Sequence, residues 1–157
     1  MPMDAIELLK DDHVKLLDLL DQLSKTTERA KKTRPELLEK IALELHAHTF
    51  LEEEIFYPAF KDSNGKENDK MYFEAKEEHR AVEDLIIPDL KKTDPASLQF
   101  SGRAKVLKEL LEHHIEEEEE EMFVQARDTM SSEVLSELGV QMAAKKKELM
   151  KQGQHKA

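Results

Sequence analysis

The 157-residue chain carries 24 Lys and Arg against 35 Asp and Glu, for a net charge of −11 and a pI near 5.1. Its length fits one domain with a self-sufficient core, and its acidity argues against nucleic acid and anionic lipid surfaces, both of which need a basic face. The absence of cysteine excludes disulfides, thiolate metal sites and thiol catalysis.

A first helix is expected from about Asp4 to Arg29. Ile6, Leu9, Leu16, Leu17, Leu20 and Leu23 follow a 3–4 spacing, and His13 lies on the same stripe. The polar segment AKKTRPE follows, where Thr33 is expected to cap a second helix with Pro35 in its first turn. That helix carries Leu38, Ile41, Leu45, His48, Glu52 and Phe56 on one face and is expected to end near the turn DSNGK, residues 62–66. A third helix, from about Asn68, carries Tyr72, Ala75, His79, Val82 and Ile86, with Pro88 expected to end or kink it. Asp94 and Pro95 are expected to open a fourth helix bearing Leu107, Leu111, His114, Glu118 and Met122. Ser131 or Ser132 should cap a short fifth helix with Val134, Leu135, Leu138 and Met142, ending near 151, before a frayed tail.

These elements predict an all-α fold: an antiparallel up-down-up-down four-helix bundle over about 4–129 with a C-terminal helix over about 132–151, as one domain spanning 1–157. The chain also repeats itself at an offset of 66 residues. His13, His48 and Glu52 recur as His79, His114 and Glu118. The apolar stripe recurs with them: Ile41 matches Leu107, Leu45 matches Leu111, and Leu16 matches Val82. The repeating unit is therefore a helix hairpin used twice.

Residues four apart share a helix face, so His48 points with Glu52 and His114 with Glu118. A carboxylate on an otherwise apolar stripe is costly unless it is paired or bound to a metal, and this cluster contains no Lys or Arg of its own. Four imidazoles and two carboxylates exceed one tetrahedral zinc and suit two octahedral ions that share carboxylates, with iron first and manganese or zinc as substitutes. A lone histidine on a stripe is more often a satisfied core residue; four of them, one per helix, with two repeated glutamates, are not explained by packing. The run Glu116 to Glu121 reads mostly as a solvated face, from which the repeat register selects Glu118. His46, His113 and His155 read as non-ligands. Tyr57 and Phe123 correspond under the offset and read as packing residues, with Tyr57 the one able to reach the metal cavity.

HTFLEEEIFYP at 48–58 and HIEEEEEEMF at 114–123, with DDHVKLLDLL and EEHRAVEDLI, resemble the four motif segments of the hemerythrin-like, or HHE cation-binding, family over about residues 4–150. The resemblance implies an oxo- or hydroxo-bridged non-heme diiron centre held by His13, His48, Glu52, His79, His114 and Glu118, with the two glutamates bridging. The chain differs from the invertebrate oxygen carriers of that family. Ala75 stands where they have a fifth histidine, and the last helix reads His-x-x-x-Glu rather than His-x-x-x-x-Asp. The resemblance is to the bacterial four-His, two-Glu type, which leaves a further coordination position for water, peroxide or a side chain such as Tyr57.

The expected function is to bind, sense or detoxify a small oxidant or diatomic (dioxygen, peroxide or nitric oxide). The alternative is a metal-dependent regulatory or interaction module, or an iron store without turnover. A ferritin-like oxidase fits less well, because that class uses Glu-x-x-His steps. The helix-patterned, acidic opening MPMDAIELLKDDH does not read as a signal peptide, and no apolar run is long enough to span a membrane. A cytoplasmic location is expected, with no nucleic-acid or membrane partner and no identifiable protein partner.

Overall fold

The computed structural model describes residues 2–64 and 66–156, with side chains described except at positions 64, 66, 67, 155 and 156. It is all-α among those residues. Five helices follow one another. α1 is Ala5–Ser24. α2 covers 33–64 as Thr33–Leu51, a wide π turn at Glu52–Phe56, and Tyr57–Asn64. α3 covers 66–92 as Lys66–Arg80, a π turn at Ala81–Ile86, and Ile87–Lys92. α4 covers 98–129 as Leu98–Glu117, a π turn at Glu118–Met122, and Phe123–Thr129. α5 is Ser132–Lys156. The first four form the expected bundle, and α5 lies against α1 and α2.

Local chemistry sets the ends. Asp4 caps α1 with a reciprocal box: its carboxylate accepts the Glu7 N–H at 2.9 Å while Glu7 reaches back to the Asp4 N–H. α1 stops at Ser24 rather than Arg29, where the Lys25 N–H closes back on the Asp21 and Leu23 carbonyls. Lys32, without a side-chain cap bond, precedes α2, so Thr33 is the first helical residue rather than the cap. Ser97, not Asp94, caps α4 by accepting the Phe100 N–H; Asp94 instead shapes the preceding turn through the Ala96 N–H. Ser131 caps α5 by accepting the Val134 N–H. α5 runs past 151 to Lys156, so the tail expected to fray is helical as far as that residue. The turn expected at 62–66 centres on Gly65, outside the described residues; His155, read as a non-ligand, likewise has no described side chain.

Pro88 does not end α3. The π turn before it lets the Ile87 N–H bond the Val82 carbonyl, five residues back. The ladder is thus reset at the residue before the proline, and Pro88 sits in the first turn of the new segment, where a missing N–H costs least.

The core falls into two apolar clusters. One surrounds Leu9, Leu51, Phe56, Phe60, Phe123 and Met142; the other surrounds Leu20, Ile41, Leu45, Leu90, Phe100 and Leu107. A buried polar layer of histidines and carboxylates lies on the same helix stripes. α5 contributes Leu135 and Met142 to the first cluster while Val134 faces solvent. Gly139 lets α5 cross the start of α1, because a Cβ there would collide with the Met3 carbonyl oxygen.

Arg34 pins the far end of the bundle. It is 1% exposed, and among the described residues no carboxylate pairs with it. Its guanidinium donates to the Thr26 hydroxyl and carbonyl, the Pro95 and Ser97 carbonyls and the Ser101 hydroxyl, and lies 4.9 Å from the Phe100 ring centre. Arg34→Ala strands those buried carbonyls and leaves a void. It is expected to cost about 2–4 kcal/mol, read as a lower urea midpoint at unchanged slope.

Candidate metal centre

His13 from α1, His48 and Glu52 from α2, His79 from α3, and His114 and Glu118 from α4 converge in the bundle interior, all buried. Their donor atoms form two overlapping groups: His13, His48, Glu52 and Glu118, and Glu52, His79, His114 and Glu118. Within each group the donors lie within 4.8 Å of one another, and both groups contain both glutamates. The Nε2 atoms of His48 and His79 lie 3.2 and 3.1 Å from the same oxygen, Glu52 Oε1. On the other side, His13 Nε2 is 3.0 Å from Glu118 Oε1 and His114 Nε2 is 3.4 Å from Glu118 Oε2.

Every Nε2 faces inward because every Nδ1 is held from outside. His13 Nδ1 meets Glu119 at 2.6 Å, His48 meets Asp12 at 3.0 Å, His79 meets Glu53 at 2.9 Å and His114 meets Glu78 at 3.0 Å. With Nδ1–H donating to a carboxylate, each ring is fixed in orientation and presents its Nε2 lone pair to the centre. Each holder sits next in sequence to a converging residue of its own helix and grips a histidine of another helix. The holders also obey the 66-residue offset, Asp12 with Glu78 and Glu53 with Glu119. Sequence reasoning missed all four, although the repeat register that picked out Glu118 carries them too. Glu53→Gln keeps the shape of the His79 holder but removes its charge, and is expected to weaken metal affinity about 10–100-fold, measured by competition with a chelator.

Tyr57 is part of the site rather than a packing residue alone. Its hydroxyl donates to Glu118 Oε2 at 2.5 Å and lies 3.4 Å from His79 Nε2. The cause is the π turn. In an α-helix the residue four after Glu52 returns to its face; here the Tyr57 N–H bonds the Glu52 carbonyl, and the wide turn brings the fifth residue round instead. The same device at Glu118 turns in Phe123. Tyr57 stacks on His79 and Phe123 on His13, each at 5.7 Å between ring centres. The hydroxyl of Tyr57 therefore breaks a symmetry that the rings preserve.

His46 and His113 are exposed and lie outside both groups. Within the six-glutamate run only Glu118 is buried. Ala75 is buried and lines a small cavity beside His114 and Glu118.

The electrostatics fit a cation. Both oxygens of Glu52, Glu118 Oε1 and His13 Nε2 are buried without a hydrogen-bond partner of good geometry, despite the short approaches just given. Orphaned buried polar atoms are costly, and a dication satisfies all of them together. Burial opposes the charged imidazole of His48, but the Glu52 charge and hydrogen bonding to Asp12 and Glu52 outweigh it and hold its pKa up at about 10. His114 is pushed well above the ordinary histidine value, its burial outweighed by hydrogen bonding to Glu118 and Glu78. His13 and His79 rise for the same reason, through Glu118 and Glu119 and through Glu52 and Glu53. Glu118 is held well below the carboxylate range, burial being outweighed by the Glu52 carboxyl and the His114 and His13 imidazoles beside it. Burial and the charges of Glu118 and Glu52 push the Tyr57 phenol well above its usual value, so it remains a donor. The raised imidazoles thus balance the buried carboxylate charge with protons, which a dication held by the same donors would displace.

Comparison with known proteins agrees with this chemistry. A crystal structure of a hemerythrin HHE cation-binding domain-containing protein from Mycobacterium kansasii superposes with a TM-score of 0.85 at 27% identity, covering 98% of this chain and 91% of that one. A curated relative from Nostoc sp., named a DNA nickase, is 26% identical over 148 residues; these are 94% of this chain, but the chain spans only 40% of that protein's length. The family described as the hemerythrin HHE cation-binding domain matches residues 4–126. With that match running through all four converging histidines and both glutamates, the chain belongs to the hemerythrin HHE cation-binding family, a family of metal-binding helical bundles.

Proposed function

We propose that this protein holds two iron ions through His13, His48, Glu52, His79, His114 and Glu118, and uses them to bind, sense or detoxify dioxygen, peroxide or nitric oxide. One observation carries the reading: two donor groups, each with two histidines, share the same pair of carboxylates. That arrangement suits two ions held together and is wasteful for one. Manganese or zinc fit the same donors as substitutes.

Iron bound there supplies Lewis acidity and one-electron redox chemistry toward such a ligand. The chain's own residues do the rest. Asp12, Glu53, Glu78 and Glu119 orient the rings. Phe56, Phe60 and Phe123 wall the centre and exclude water on that side. Tyr57 keeps its proton on Oη, donates it to Glu118 Oε2 and is the closest phenol to any ligand at the centre. A cavity of about 30 Å³ beside His114 and Glu118 admits a water-sized ligand. Among the described residues no helix is long and apolar enough to cross a membrane. The net charge of −11 keeps nucleic acid out of this reading, although one relative is named a DNA nickase.

The test is optical. Anaerobic protein loaded with two ferrous ions is exposed to oxygen, peroxide and nitric oxide in turn, and the near-ultraviolet and visible bands are followed. New bands with at least one of them are expected. Two irons bound and no change with any ligand would overturn the redox reading in favour of a regulatory module or an iron store.

A further inference from the structure

The repeat that is faithful at the ligands fails at one mouth of the site. On the first hairpin, Leu8, Ala47, Leu51 and Ile55 flank Asp12. At the 66-residue offset, the second hairpin has Glu74, His113, Glu117 and Glu121 around Glu78. The apolar set is sealed. Leu8 and Leu51 share a core cluster with Leu135 and Met142 of α5, and Ile55 packs against it. Asp12 itself is closed off by Lys146 of α5, which also reaches Glu44 at 3.4 Å. The acidic set has no such cover: Glu74, His113 and Glu121 are exposed, and α5 lies on the opposite hairpin.

This open mouth leads inward. A cavity of about 30 Å³ is lined by Glu74, Glu78, Glu117 and Glu121 at the acidic end and by His114 and Glu118 within. That is enough for a water or two, since about 10–15 Å³ by the same measure holds one. Glu118, 3% exposed, stands at its inner end, and its Oε1 is buried with no hydrogen-bond partner of good geometry. Ala75, Met71 and Met122 form its apolar wall. At the surface, Glu78, His113 and Glu117 offer three donor atoms within 4.8 Å of one another, with His113 Nε2 3.0 Å from Glu117 Oε1.

We propose that this acidic mouth between α3 and α4 is where metal ions are loaded, with Glu78, His113 and Glu117 as a transient divalent-cation site that passes ions inward to Glu118 and His114. The chemistry favours it on three counts. Carboxylates concentrated at one mouth raise the local cation concentration and the on-rate. Mixed imidazole and oxygen donors suit the same borderline metals as the centre. Glu78 joins the two sites physically, because the carboxylate that contributes to the surface group also holds His114 Nδ1 at 3.0 Å. α5 seals the equivalent mouth, so the route is one-sided.

The inference rests on the proposed six-residue site, and its test separates the two. Metal-free full-length protein is mixed anaerobically with Co²⁺ in a stopped-flow instrument, and the visible d–d absorption is followed for rate and final stoichiometry. The double variant His113→Ala/Glu117→Gln is compared with wild type and with Glu133→Gln on α5, which likewise removes one carboxylate charge, away from the mouth. The expected result is loading slowed about tenfold in the mouth variant at unchanged final stoichiometry. The control should load at the wild-type rate, and the difference should shrink at high salt. Equal rates in the mouth variant and wild type, or equal slowing in the control, would overturn the portal. A wild-type protein that takes up no cobalt at the buried centre would overturn the six-residue site itself.

Discussion

Glu118→Ala is expected to abolish binding at both metal positions at once, whereas His79→Ala is expected to lose or weaken one of the two. The contrast follows from topology. Glu118 and Glu52 belong to both donor groups, while each histidine belongs to only one. Truncating Glu118 also frees the Tyr57 hydroxyl and leaves His13 and His114 facing an empty buried volume. Metal analysis after anaerobic loading reads the result directly: two ions per chain in the wild type, near zero in Glu118→Ala, and about one in His79→Ala. Two ions retained in Glu118→Ala would sink the shared-carboxylate arrangement. Folding is checked separately by far-ultraviolet circular dichroism, since removing a buried anion among raised-pKa histidines leaves those histidines to lose their protons rather than unfold the bundle.

The second large effect is a pH-dependent gain in stability on metal binding. His48 has a folded pKa of about 10 against an ordinary value of 6.5, and His13, His79 and His114 are raised as well. For a group whose folded pKa is raised, the stabilisation is full below the unfolded pKa and is lost as pH rises through the folded one. Metal-free protein should therefore weaken from about pH 6.5 towards pH 10, as the imidazoles lose the protons that balance Glu52 and Glu118. Metal-bound protein replaces those protons with a dication and should keep its stability across that window. The gap in Tm between the two forms should widen as pH rises, and metal uptake at pH 7 should release protons, measurable with a weakly buffered indicator. At free metal about 100 times Kd the stabilisation is expected to be roughly 2.7 kcal/mol. A Tm gap that stays constant from pH 6.5 to 9 would rule out proton displacement as the basis of binding.

The helices and their inward faces were largely legible in the residues. His13, His48, His79 and His114 could be placed on buried stripes because the 3.6-residue period is a property of local sequence. Glu118 could be chosen from six glutamates because the repeat supplied a register. Boundaries were less legible. Thr33 and Asp94 are good capping residues by type, but the backbone turns elsewhere, and the choice among neighbouring candidates depends on how the connecting loops pack around Arg34.

Tyr57 shows where a local pattern stops being sufficient. An α-helical period puts Phe56 on the ligand face; only the π turn at Glu52–Phe56 rotates Tyr57 onto His79 and Glu118. Such an insertion has no propensity signature, because it is stabilised by what the turned-in side chain meets across the bundle. The same holds for α5. Its apolar residues announce a helix that must dock, yet the side it covers depends on Leu8, Leu51 and Ile55 being apolar where their counterparts Glu74, Glu117 and Glu121 are charged.

Sequence by itself determined the all-α class, the doubled hairpin and the convergence of four histidines and two glutamates, because those follow from spacing along a helix. Tertiary structure alone decided the carboxylate behind each ring, the reach of Tyr57 and which mouth of the centre stays open, because those depend on contacts between helices, which no period along one chain encodes.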